Sequence, residues 1–232
     1  MIDSAGALIQ FRFQYFGHIG NSMGEWNSWH IQYKADGAGL SLLTPAERLQ
    51  AETELLLALE APADPRPLLG LAYLSSRKAL PGLNRCFSSQ SQHAWTTHAL
   101  RAIAAIDPYA LDQQQLLRQL AHGRPHASPF SDPLIDILLG LRLYFPLSLL
   151  ERPVIDQIFQ LMRHKKALVR SHALQTLREL YALPTAAQET ATDLERSTND
   201  PVFQLISPDD RPADYDSAIR LLRQQTENIA LI

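Results

Sequence analysis

A single cysteine, Cys86, stands in a chain of 232 residues. One thiol excludes an internal disulfide framework and a cysteine-based metal site, and it fits a reducing compartment. Long apolar runs are missing as well. No stretch reaches the roughly 18 consecutive apolar residues that a membrane helix needs. Residues 1–20 carry no basic segment followed by an apolar run, so they do not read as a secretory leader. These absences predict a cytoplasmic protein with no membrane contact. Neither sign of charge dominates, because 21 Lys and Arg against 24 Asp and Glu leave a net −3. Such a balance offers no general attraction to nucleic acid or to anionic lipid.

The signatures of familiar chemistry are absent too. There is no GxSxG elbow, no GxxxxGK[ST] phosphate loop, no HExxH and no GxGxxG. The eight histidines are scattered along the chain. The sequence therefore predicts no enzyme, no catalytic residue, no metal site and no cofactor.

What is present is a folded chain's composition, 46% hydrophobic and 19% charged. It is organised around residues 164–182, HKKALVRSHALQTLRELYA. Leu168, Val169, His172, Ala173, Leu177, Leu180 and Tyr181 recur there at helical spacing and would share one face, with Leu174 at its edge. Residues 153–162 give a second helix, with Val154, Ile155, Ile158, Phe159 and Met162 on one side. A short basic turn joins the two into a helical hairpin.

The pattern recurs. Residues 97–106 align without a gap to residues 171–180, both reading [ST]-H-A-L-x-x-[IL]-x-x-[IL]. The offset is about twice the period of a two-helix repeat, and residues 136–144 (DILLGLRLY) supply a third apolar helix midway. His98 and His172 fall at equivalent positions, which favours a packing or interhelix hydrogen-bonding role over catalysis.

The run Ala167-Leu168-Val169-Arg170-Ser171-His172-Ala173-Leu174 resembles the second helix of a HEAT repeat, where V-R-x-x-A-[LA] is typical. Trp95-Thr96-Thr97-His98-Ala99-Leu100 is a weaker match. The resemblance covers about residues 66–183 and implies a short HEAT-like α-solenoid of antiparallel helix pairs. It implies a large interaction surface and brings no active site with it.

The N-terminal part reads differently. Ile9, Phe11, Phe13 and Tyr15 alternate with Gln10, Arg12 and Gln14, the period of a half-buried strand. Trp29, Ile31 and Tyr33 alternate in the same manner. Asp36-Gly37 is a turn signal, and residues 40–42 add a short third strand. A small antiparallel β-meander is thus expected over residues 1–43, packed on the first helix, with the helical domain over 44–232. The loop between the first two strands, residues 17–27, carries three glycines with His18, Glu25 and Trp26. Long loops on a rigid scaffold tend to carry function, so these three are candidate partner-binding residues, with a mobile, solvent-filled hairpin tip as the alternative.

Thr44-Pro45-Ala46-Glu47 has the form of a capping box with proline at the first helical position, and the helix should run to about residue 59. Three prolines within residues 61–67 end it and mark a hinge. Residues 68–79 and 93–106 should form the first hairpin, with Pro81-Gly82 as the stop. Residues 111–122 and 133–144 make the next pair.

Charge is concentrated at the end. Residues 185–232 hold nine acids against four arginines, a net −5. That segment is a polar cap for the solenoid, or a docking surface for a basic partner through Asp209, Asp210, Asp214 and Asp216. Arg163-His164-Lys165-Lys166, with Arg170, forms a basic patch at a helix–helix turn, which reads as a solvated loop, with binding of phosphate or an acidic partner as the alternative. The expected function is a non-catalytic protein-binding module, similar in outline to bacterial immunity proteins that neutralise a toxin. The alternatives are a nucleic-acid-binding or DNA-repair HEAT-like protein, which needs a basic groove, and an accessory scaffold resembling HEAT-like lyases.

Overall fold

The computed structural model describes residues 4–16, 37–60, 65–86, 95–122, 132–183, 200–207 and 213–227. These residues are mainly α-helical, and among them there is no strand. Among the described residues twelve α-helices follow one another: α1 (Ser4–Phe16), α2 (Ala38–Ser41), α3 (Pro45–Glu60), α4 (Arg66–Tyr73), α5 (Leu80–Cys86), α6 (Thr96–Ile106), α7 (Gln113–His122), α8 (Pro133–Tyr144), α9 (Arg152–Leu161), α10 (Ala167–Leu180), α11 (Pro201–Ile206) and α12 (Tyr215–Glu227). They divide into two compact units, Met1–Leu111 and Asp112–Ile232.

Acidic or hydroxyl side chains start many of these helices, often just before a proline. At α3, the Thr44 amide donates to Glu47 Oε2 at 2.8 Å and the Glu47 amide donates to Thr44 Oγ1 at 3.4 Å, as the capping box predicts. The Thr44 hydroxyl, which donates to Glu47 Oε2 at 2.6 Å, and then the Thr44 amide hold the Glu47 carboxyl below its ordinary pKa. Asp112, Asp132, Asp200 and Asp214 accept first-turn amides at α7, α8, α11 and α12. Pro133 and Pro201 follow their caps directly, where a missing N–H costs nothing.

In the first unit, α3 packs with α4 and α5 with α6, while α4 lies beside α6 and α3 beside α5. Consecutive helices therefore pair, and successive pairs stack. Helix α1 packs on α2, α3 and α4. Its buried line is Ala7, Phe11 and Tyr15, spaced i, i+4, i+8, and the Phe11 ring meets Tyr15 at 5.2 Å and Phe16 at 5.6 Å between centroids. Tyr15 fits because residue 70 is glycine: a Cβ there would lie 2.6 Å from the Tyr15 ring. Burial pushes the Tyr15 phenol up to about 12. Arg66, buried at the start of α4, donates from Nη1 to the Gln14 carbonyl at 2.8 Å and so satisfies the open end of α1.

Residues 8–16 are thus helix, and the strand expected there is corrected. Apolar residues at 7, 11 and 15 satisfy a helical period, while 9, 11, 13 and 15 satisfy a strand period, so a short aromatic-rich run fits both. Only Ile9 is β-branched, and the contacts to α3 and α4 decide in favour of helix. Residues 40–42 are corrected likewise, since α2 is a single helical turn with Leu40 fully buried. The strand expected at residues 29–34 and Asp36 of the expected turn lie outside the described residues, while Gly37 precedes α2.

The first expected hairpin also changes. Helix α4 ends at Tyr73, and Ser75 adopts a left-handed φ of 52° while the Ser76 amide donates back to the Leu71 carbonyl at 3.0 Å. Glu52 of α3 then takes the Ser76 hydroxyl at 2.6 Å and Lys78 Nζ at 2.8 Å, which pins the 3₁₀ turn Arg77–Ala79. Pro81 sits inside the first turn of α5 instead of stopping a helix. Gly82 lets α5 approach Leu59, whose Cδ2 is 2.6 Å from where a Cβ would be.

The second unit repeats the scheme three times. Helices α7 and α8, α9 and α10, and α11 and α12 pair, while α7 stacks on α9, α8 on α10 and α10 on α11. Helix α10 is central. Val169, Ala173, Leu174, Thr176 and Leu177 are buried, and Thr176 Oγ1 donates to the Leu138 carbonyl of α8 at 3.2 Å. Leu168, expected on the inner face, points outward. The helix from 153 to 162 appears as α9, with Val154, Ile155, Ile158 and Phe159 buried. Among the described residues, no helix is long and apolar enough to cross a membrane.

Candidate functional site

The acidic and basic segments, read separately in the sequence, meet in the second unit. Asp216, in the first turn of α12, pairs with Arg163 from the turn between α9 and α10. Asp200, at the start of α11, pairs with Arg178 of α10 at 2.7 Å, and both side chains are only 8% exposed. Between them, Arg170 is buried: its Nε donates to the Ile206 carbonyl at 2.8 Å and its Nη1 to the His164 carbonyl at 2.8 Å. Its guanidinium also lies 5.6 Å from the Tyr215 ring centroid. Three arginines thus clip the α11–α12 hairpin onto α10 and the turn before it. Two turns further along α12, Arg223 reaches Asp156 of α9 at 2.8 Å and covers the Phe159 ring at 4.7 Å.

Lys166 and His164 of the same turn are engaged as well. Lys166 Nζ binds Asp132 at 2.8 Å, and the Lys166 amide donates to His164 Nδ1 at 3.2 Å. That bond makes Nδ1 the acceptor, so the imidazole is neutral with its proton on Nε2. Partial burial lowers the His164 pKa, and this outweighs the carboxylate of Asp132.

Of the expected partner-binding residues, Asp214 and Asp216 are described and exposed. Asp214 caps α12 by accepting the Ser217 amide at 3.0 Å, while its own amide donates to the Leu205 carbonyl at 3.0 Å. Asp216 remains 73% exposed beside Arg163, so it is open to a second partner. Asp209, Asp210, His18, Glu25 and Trp26 lie outside the described residues.

The two repeat-equivalent histidines, His98 and His172, are both half-buried, on α6 and α10. His172 has its pKa lowered by burial and by the charge of Arg142 on α8. Its Nδ1 is buried with no hydrogen-bond partner, as are Nε and Nη1 of Arg142, whose nearest carboxylate, Glu179, is 3.7 Å away. Asp136 of α8 is pushed up to about 6 by burial and by Asp132. Cys86 is buried, and its thiol is pushed up to about 11 by that burial, which makes it unreactive at neutral pH. Among the described residues, no three His, Cys, Asp or Glu side chains gather to hold a metal ion.

Sequence reasoning missed one surface in the first unit. Helix α1 exposes Ile9 (65%), Phe13 (77%) and Phe16 (41%), and α3 exposes Leu57 (66%). Arg12 Nη2 and Nε meet Glu54 at 2.5 and 3.0 Å between the two helices. The signal was available: once 7, 11 and 15 are the inner line of a helix, 9, 13 and 16 must form an outer one. Compared with protein-family models, with curated proteins and with solved structures, the chain matches none.

Proposed function

We propose that this chain is a non-catalytic protein-binding module, a short HEAT-like α-solenoid of the kind that serves as an inhibitor or immunity protein and neutralises a toxin partner. The stacking of consecutive helix pairs within each unit carries the proposal. Stacked pairs present helices side by side, and rows of this kind are used as extended binding surfaces. The acidic C-terminal segment is the side we assign to a basic partner. Asp216 keeps most of its surface in water, and Asp209 and Asp210 add charge to the same stretch of sequence. A basic partner competes with Arg163 for Asp216.

The test is charge reversal at Asp209 and Asp210 together with Asp216→Asn, leaving Asp214 intact because it caps α12. Exposed charges act mainly on encounter, so association should slow and its salt dependence should flatten. The melting curve should change little. Unchanged association in both respects would remove the acidic segment from the interface. Specific binding to nucleic acid at physiological salt, with no protein partner, would favour the nucleic-acid reading instead.

A further inference from the structure

We propose that the exposed apolar face where α1 meets α3 is a self-association surface, through which two copies of this chain pack about a two-fold axis. The face is continuous by helix geometry. Measured from the buried line Ala7–Phe11–Tyr15, Arg12 lies about 100° round α1, and Phe16, Ile9 and Phe13 lie about 140–200° round on that same side. Measured from the buried line Ala51–Leu55–Leu59, Glu54 lies about 100° round α3 and Leu57 about 160° on that same side. Arg12 and Glu54 are bonded to each other, so the two helices face across that pair. Ile9, Phe13 and Phe16 on one helix and Leu57 on the other therefore flank one ion pair on one surface.

Size and charge both select the occupant. A large side chain offers about 150–250 Å² when fully exposed, so the four exposures sum to roughly 450 Å². That is the size of a patch that is often functional on a monomer, and it is about half of what each side of a stable complex buries. A weak, concentration-dependent contact is the matching outcome. The charge pattern is self-complementary. Among the described residues, Arg12 and Glu54 lie side by side in the patch, Arg12 is the only charged residue of α1, and Glu60 is exposed one turn beyond Leu57. A two-fold axis through that pair sets Arg12 of one copy against Glu54 of the second, and the reverse, while the apolar residues close on each other.

The test uses the full chain in analytical ultracentrifugation, from low micromolar to several hundred micromolar. The wild type should pass from monomer to dimer with a dissociation constant on the order of 10–100 µM. Phe13→Glu should weaken the dimer by at least about tenfold without moving the melting temperature, because residue 13 is exposed in the monomer. Arg12→Glu alone and Glu54→Arg alone should each remain monomeric, since each then sets like charges against each other across the axis. An equimolar mixture of those two variants should form a heterodimer. A wild type that stays monomeric across the range would overturn the proposal, whether or not hydrogen exchange along α1 is slow. A dimer that persists in Phe13→Glu, or a mixture that fails to associate, would overturn it too.

Discussion

Asp200 performs two tasks at once, and its substitution separates them. One carboxylate oxygen accepts the Val202 amide at 2.8 Å and the Phe203 amide at 3.4 Å, which starts α11. The other lies 2.7 Å from Arg178 Nη2, in a pair with 8% exposure on both sides. Asp200→Ala removes the cap, which costs about 1 kcal/mol. It also leaves the buried guanidinium without this carboxylate, and breaking such a pair from one side costs about 3–5 kcal/mol. Relaxation and water entry reduce the sum, so we expect about 4 kcal/mol. Asp200→Asn keeps the cap acceptor and loses only the charge, for about 3 kcal/mol. Adding Arg178→Met to Asp200→Asn removes both charges, and the double variant should return to within about 1 kcal/mol of the wild type. Urea unfolding of the full chain reads these values, and hydrogen exchange should place the first loss of protection in residues 200–207 and 213–227. The pair would be solvent-screened, and the reasoning refuted, if Asp200→Asn unfolded within about 0.5 kcal/mol of the wild type.

Three further expectations concern stability. Ala182 ends α10 at a left-handed φ of 49°, while the Leu183 amide donates to the Arg178 carbonyl at 2.8 Å. Ala182→Gly should stabilise by about 1 kcal/mol in the same urea assay, because a Cβ is disfavoured in that conformation. Asp136 and His172 give opposite pH signatures. The Asp136 pKa is raised to about 6 in the folded chain, so the folded state takes up its proton first as pH falls, and the cost of burying the charge disappears between about pH 7 and 4. Asp136→Asn should therefore be more stable than the wild type by about 1–2 kcal/mol at pH 7, with the difference vanishing near pH 4. The His172 pKa is lowered, so the unfolded state takes up the proton first, and stability falls as pH drops below about 6.5. His172→Gln should remove that part of the acid sensitivity, read as melting temperature against pH.

Long helices with clean 3.6-residue periodicity were legible in the sequence. Residues 113–122, 133–144, 152–161 and 167–180 form helices close to where the apolar spacing put them, and the Thr44–Glu47 box forms as its residue types require. Residues 4–16 were not legible. Apolar residues on two opposite sides of a helix produce the i, i+2 alternation of a strand, and only the notch at Gly70 and the Arg66 bond to Gln14 show which period holds. Pro81-Gly82 misled in the same manner, because a proline within a first turn looks like a stop when the preceding helix has already ended at Tyr73. At the candidate site, the charges were visible as runs, but their partners were not. Arg163 with Asp216 and Arg178 with Asp200 join residues more than twenty positions apart, and no local pattern records such pairs.

The measurement that bears most directly on the central claim is co-purification of the tagged full-length chain from its native cells at physiological salt, followed by identification of whatever is bound in stoichiometric amount. The account predicts one basic protein, released as salt is raised and recovered in lower yield with the Asp209 and Asp210 reversals. Recovery of nucleic acid alone, or turnover of a small molecule by the purified chain, would contradict it.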